Sequence, residues 1–181
     1  MIIRSKISWT NYSKTRLGNK MGEKKLDGAG LRGQVAGKTA LSTVGKEGKG
    51  LTYRGYAIEE LAEKASFEEV AYMLLYGKLP NQSEYDQYSA KLKSYRALPE
   101  ALKEVLERIP ADAHPMDVMR TGCSMLGNLE PEGEFSNQNE TADRIMAAFA
   151  SIVTYWYRYS HDGVRVETET DHPTIGGQFL S

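Results

Sequence analysis

The sequence predicts a mainly α-helical fold with a short β-hairpin region near its start. Three observations carry that prediction. From Ala57 onward apolar residues recur at the helical period of three or four positions. Helix start and stop signals punctuate the same stretch at short intervals. Strand-like runs are confined to a glycine-rich stretch, residues 28–56. No alternation of strands and helices supports a parallel, nucleotide-binding sheet.

Residues 1–27 stand apart. Arg4, Lys6, Lys14, Arg16 and Lys20 are basic, and no Asp or Glu precedes Glu23. An organelle transit peptide has such a composition, and so does an unstructured extension. The expected organisation is a disordered basic extension over 1–27 and a single helical domain over 28–181. Within 28–56, Val35, Leu41, Thr43 and Val44 alternate loosely with polar residues. Gly45 to Gly50 reads as a turn and Leu51-Thr52-Tyr53 as the return strand.

The helices follow in order. Ile58, Leu61, Ala62 and Ala65 mark a short first one. Ser66 with Glu69 three residues later is a capping-box signature for a second, whose stripe is Val70, Ala71, Leu74 and Leu75. Gly77 ends it and Pro80 follows. Ser83 opens a third, carrying Tyr85, Tyr88, Leu92 and Tyr95. Leu102, Val105, Leu106 and Ile109 form a fourth, closed by Pro110. His114-Pro115 starts a fifth, with proline at a tolerated early position; Met116, Met119, Cys123 and Leu126 share one of its faces. A polar loop from Asn128 to Asn139 then leads to the longest helix, Glu140–Ser160.

Ile145, Phe149, Ile152, Val153, Trp156 and Tyr159 line that long helix. Met146, Ala147, Ala148, Ala150, Tyr155 and Tyr157 fill much of the remaining circumference. So broad an apolar surface requires burial on most sides. The rest of the chain reads as too small to supply the cover, so a missing partner surface is expected.

Composition excludes several function classes. The chain of 181 residues carries 23 basic and 24 acidic side chains, a balance that gives no electrostatic argument for nucleic acid or an anionic membrane. Its one cysteine, Cys123, permits no internal disulfide, which fits a reducing, cytoplasmic setting. No apolar run approaches the roughly 20 residues of a membrane span.

Gly33-Gln34-Val35-Ala36-Gly37-Lys38-Thr39 imitates a phosphate loop but fails on spacing, because three residues separate its glycines where four are needed. His114, His161 and His172 lack metal-ligand partners one helical turn away, so no metal site is expected. His114 reads as a helix starter and His161 as a solvated residue at a helix C-terminus. There is no nucleophile elbow and no carboxylate pair in an apolar setting. Arg32, in Gly30-Leu31-Arg32-Gly33, is the one local feature with a binding reading, since a guanidinium among small residues can reach a phosphate bidentately.

Taken in order, several segments resemble the citrate synthase family. They are Gly30-Leu31-Arg32-Gly33 leading to Thr39-Ala40-Leu41-Ser42, then Tyr53-Arg54-Gly55-Tyr56, Phe67-Glu68-Glu69-Val70-Ala71, Gly77-Lys78-Leu79-Pro80, His114-Pro115-Met116 and Tyr155-Trp156-Tyr157. The stretch Tyr157 to Gly163 followed by Ile175-Gly176-Gly177 is more similar to the 2-methylcitrate branch than to ordinary citrate synthases.

The resemblance implies the N-terminal part of that family's large helical domain. It implies a condensation of an acyl-CoA, propanoyl-CoA or alternatively acetyl-CoA, with oxaloacetate. The family's carboxylate base and histidines do the chemistry, with no metal or redox cofactor. Those catalytic residues are expected beyond Ser181, so no catalytic role falls on any residue here and the chain alone is expected to be inactive. Arg32 matches a turn that contacts CoA phosphate in some members. The helices starting near His114 and Glu140 are expected to pack across a homodimer interface. A non-catalytic helical interaction protein is the alternative from another class.

Overall fold

The computed structural model describes residues 37–44 and 50–180. Among them, three two-residue strands, β1 (Ser42–Thr43), β2 (Thr52–Tyr53) and β3 (Tyr56–Ala57), form an antiparallel meander in that order. Seven helices follow: α1 (Ile58–Lys64), α2 (Phe67–Tyr76), α3 (Gln82–Ser94), α4 (Glu100–Leu106), α5 (Pro115–Leu129), α6 (Gln138–Asp162) and α7 (Ile175–Leu180). The mainly helical expectation therefore holds. The expected extension over 1–27 lies outside the described residues, as does most of the turn between β1 and β2.

Local chemistry sets most of the boundaries. Ser66 accepts from the Glu69 amide while the Glu69 carboxylate accepts from the Ser66 amide at 2.7 Å, the reciprocal cap anticipated for α2. Asn81 and Glu84 repeat the device, so α3 begins at Gln82, one residue before Ser83. Gly77 ends α2 and Gly163 ends α6 in the left-handed conformation, which an L side chain resists. His114 caps α5, its Nδ1 accepting from the Met116 amide at 3.2 Å. The polar loop before α6 is shorter than expected, because α5 runs to Leu129 and a 3₁₀ turn, Phe135–Asn137, leads straight into α6.

Helix α6 is the axis of the core. On it meet a larger cluster, Leu98, Leu102, Leu106, Val118, Leu126, Ala148, Ile152, Tyr155 and Trp156, and a smaller one, Ala71, Tyr88, Leu92 and Ala147. No residue from Thr141 to Trp156 is exposed. Over that stretch this corrects the expectation that too little chain remains to cover the helix, whereas Tyr157, part of the same apolar surface, is left 52% exposed. Helices α3, α4, α5 and α7 all pack on it, so most of its broad apolar surface is met within this chain.

The inward face of α5 is centred beside the methionines. Met116 is 63% exposed, whereas Val118, Gly122 and Leu126 are buried. These three lie one helical turn apart and form the stripe pressed on α4 and α6. Gly122 carries no apolar side chain and so escapes a hydrophobic pattern. A Cβ built there would sit 2.7 Å from Ile152 Cγ2, so the missing side chain is what lets the two helices approach.

Candidate functional site

Buried polar groups on α6 organise the molecule. Asp143, Ala147, Ser151 and Tyr155 lie one turn apart on a single buried stripe. Three of the four are polar, and each reaches a different element. Asp143 is fully buried and accepts from the Tyr76 hydroxyl at 2.5 Å, the Tyr88 hydroxyl at 2.8 Å and Lys91 Nζ at 2.8 Å. It thereby ties α2 and α3 to α6. Lys91 also pairs with Glu140, which in turn accepts from the Tyr95 hydroxyl. Ser151 accepts from Gln178 Nε2 at 2.7 Å, holding α7. Tyr155 donates to Glu107 at 2.7 Å, where Arg165 also binds.

Electrostatics in these clusters follow from burial and partners. Burial, then the Asp143 hydrogen bond, pushes Tyr76 up to about 12. The same causes raise Tyr88 further. Tyr155 is raised by burial and by Glu107. Burial alone would pull Lys91 down, but its bonds to Asp143 and Glu140 hold it above its ordinary value. The tyrosine bond and Arg165 keep Glu107 below the usual carboxylate range.

In all three tyrosines and in Lys91 the folded state holds the proton more tightly than the unfolded chain does. Their stabilisation is therefore complete below about pH 10, the ordinary tyrosine range, and is lost as pH rises through the folded values. Urea midpoints are expected to be flat from pH 7 to 9 and to fall between pH 10 and 12. Tyr76→Phe with Tyr88→Phe should flatten that fall.

A third buried assembly fixes the irregular segment between α6 and α7, residues 164–174. Arg96 is 1% exposed and donates through Nη1 to the carbonyls of His172, at 2.5 Å, and Thr170, at 3.3 Å. The Leu98 amide donates to Thr168 Oγ1 at 3.3 Å. Glu68, 2% exposed, accepts from the Ile175 amide at 2.9 Å and so caps the start of α7. Burial lowers the pKa of Arg96, against the opposing pull of Glu68.

A concavity of about 770 Å³ lies between α6, residues 166–170 and α7. Its lining includes Val153, Trp156, Tyr157, Val166, Phe179 and Leu180. None of the groups with a displaced pKa lines it. The perturbed groups hold helices together, and the open groove presents mainly apolar and aromatic surface.

The sequence-singled residues do not converge. Arg32 lies outside the described residues. His114 caps α5, His161 stacks on Tyr157 with ring centroids 4.2 Å apart, and the His172 carbonyl serves Arg96. Among the described residues no group of His, Cys, Asp and Glu is placed to hold a metal ion, and no helix is long and apolar enough to cross a membrane. Sequence reasoning missed Glu68, Arg96 and Asp143. Asp143 had a signal: it is an acid in register with Ala147, Ser151 and Tyr155.

Comparison with known proteins adds what the geometry leaves open. The family described as citrate synthase, C-terminal domain, matches residues 30–181. Over 157 residues the chain is 69% identical to the 2-methylcitrate synthase of Shewanella oneidensis, covering 87% of this chain and 42% of that protein. Over 125 residues it is 38% identical to the 2-methylcitrate synthase of Mycobacterium tuberculosis, covering 68% of this chain and 32% of the other. The crystal structure of citrate synthase from Thermotoga maritima superposes with a TM-score of 0.70 at 32% identity, over 84% of this chain and 40% of that one. The chain thus spans less than half the length of each of these relatives.

Proposed function

The chain belongs to the citrate synthase family, and on that premise we propose that it is part of a 2-methylcitrate synthase, which joins propanoyl-CoA to oxaloacetate and releases 2-methylcitrate and CoA. The observation that carries this reading is the 69% identity to the S. oneidensis protein of that name. In the reaction an α-proton leaves the thioester, the enolate carbon attacks the ketone of oxaloacetate, and water cleaves the thioester to free the CoA thiol. Residues 28–181 supply frame to this chemistry, and the proton-transfer groups are contributed by sequence outside the 181 residues. What supports that division is the placement of the perturbed groups, each bonded inside the frame and away from the groove. The reaction as proposed uses acyl-CoA as substrate and no resident cofactor. The enzyme works in the cytoplasm as a homodimer, with the exposed side of α5 around Met116 on the two-fold interface.

Two results test this. The full-length enzyme should release CoA thiol from propanoyl-CoA and oxaloacetate with a kcat/KM at least about tenfold above that for acetyl-CoA, the discrimination that one methylene supports. Equal or reversed preference would make it a citrate synthase, the activity named for the T. maritima relative. The 181-residue chain alone should release none; turnover by it would end the frame assignment.

Arg32 is proposed to contact a CoA phosphate. Arg32→Ala in the full-length enzyme should raise KM for the acyl-CoA about tenfold or more, as loss of a charge-assisted bond does, and leave KM for oxaloacetate unchanged.

A further inference from the structure

Residues 164–174 have no regular secondary structure, yet groups distant in the chain hold them along their whole length. Arg165 binds Glu100 and Glu107 at one end. The Leu98 amide meets Thr168 Oγ1, and Lys93 pairs with Asp171 at 2.7 Å. Arg96 takes the carbonyls of Thr170 and His172, and Glu68 accepts from the Ile175 amide where the segment enters α7.

Holding the segment this way is costly. Arg96 is 1% exposed and makes no ion pair among the described residues. Its Nε has no hydrogen-bond partner, and neither does the buried Oγ1 of Thr170. A buried charge without a bonded counter-ion opposes folding, and Glu68 offsets that only through its field. The core gains little in return: of the side chains in 164–174, only Val166 packs on either apolar cluster. An apolar residue in place of Arg96 would avoid the cost and leave the course of the segment unset.

The junction with α7 is equally tight. The His172 ring lies directly on Gly177, with no room for a Cβ between them. The segment and the first turn of α7 therefore keep one relative placement.

We propose that Arg96 is a positioning residue for the condensation: through the carbonyls of Thr170 and His172 it fixes the course by which the chain reaches the proton-transfer groups. The proposal rests on the functional reading above, in which those groups follow Ser181. Arg96 itself touches no reactant. Substrate grip is spread over many contacts, whereas proton transfer depends on hydrogen-bond reach. Misplacing a reacting group by about 1 Å costs on the order of 100-fold in rate, so loss of the anchor should appear in kcat.

The test uses the full-length enzyme with Arg96→Met, which removes the donors, and Arg96→Lys, which keeps the charge. Arg96→Met should lower kcat at least tenfold, leave KM for oxaloacetate and for the acyl-CoA each within twofold, and quicken amide exchange over residues 168–175. Arg96→Lys, able to serve one carbonyl, should recover at least threefold of the lost kcat. With kcat referred to the folded fraction from circular dichroism, a purely structural role would leave it unchanged. Gly177→Ala covers the case in which Arg96→Met does not fold. Its methyl pushes aside the His172 ring, an exposed group. kcat should fall at least threefold, and His172→Ala in the same chain should restore it.

A kcat within twofold of the parent for Arg96→Met, or for Gly177→Ala where the first variant is unfolded, would overturn the proposal. So would an effect confined to KM. A full-length enzyme that prefers acetyl-CoA would end the substrate reading and leave the positioning role standing, because the split between kcat and KM can be read on either thioester.

Discussion

Asp143→Ala is expected to destabilise the chain by about 3–5 kcal/mol, the range for breaking a buried charged network from one side. The carboxylate is fully buried and serves three donors on two other helices. Its removal strands the hydroxyl of Tyr88, a residue 3% exposed, and each buried donor left without a partner costs about 1–3 kcal/mol. Lys91 fares better, since Glu140 still accepts from it. Asp143→Asn keeps the shape and one acceptor oxygen, so its loss should be nearer 1–2 kcal/mol, the order of single hydrogen bonds. Urea unfolding at pH 7 reads both. A loss below 1 kcal/mol for the alanine variant would show that the network does not hold α2 and α3 on α6. Pairing the substitution with Tyr88→Phe separates the two contributions. The double variant should lose less than the sum of the singles, because the stranded hydroxyl is gone.

Gly122→Leu should cost about 3 kcal/mol, the upper end of overpacking penalties, despite the roughly 1 kcal/mol that leaving glycine returns to a helix interior. The new Cβ meets Ile152 Cγ2 at 2.7 Å and Cδ1 at 3.2 Å. Ile152 is fully buried and β-branched, so it has little rotamer freedom with which to move aside. Gly122→Ala should show the same sign at smaller size. Combined with Ile152→Ala it should be close to neutral relative to Ile152→Ala alone, since the clashing methyl is then absent. Additive losses in that cycle would place the strain somewhere other than the α5–α6 crossing. Gly127 of the same helix is the control: a Cβ there meets nothing within 4 Å, and Gly127→Ala should be neutral or stabilising.

Much of the architecture was legible before any coordinates. The Ser66–Glu69 box, the Gly77 stop and the His114-Pro115 start each rest on bonds between residues within four positions of one another. Local sequence therefore contains the whole interaction. The buried side of α5 was not legible, because Met116 and Met119 carry a strong apolar signal and Gly122 carries none, although it is Gly122 that meets Ile152. The candidate site was less legible still. Tyr76 and Tyr88 reach Asp143 from 67 and 55 positions away in the chain, and Arg96 reaches the His172 carbonyl across 76. Nothing in a residue's neighbours announces such a partner.

By itself, then, the sequence determined the helical class, the caps and stops, and the ordered motifs that mark the family, because all of these are written in spacing along one chain. Only the tertiary structure decided which side of each helix is buried, that α6 from Thr141 to Trp156 is covered by its own chain, and that its polar stripe binds α2, α3 and α7. The physical reason is that burial and hydrogen-bond satisfaction are set by what lies across a contact. For α6 the other side of the contact is built from residues distant in sequence.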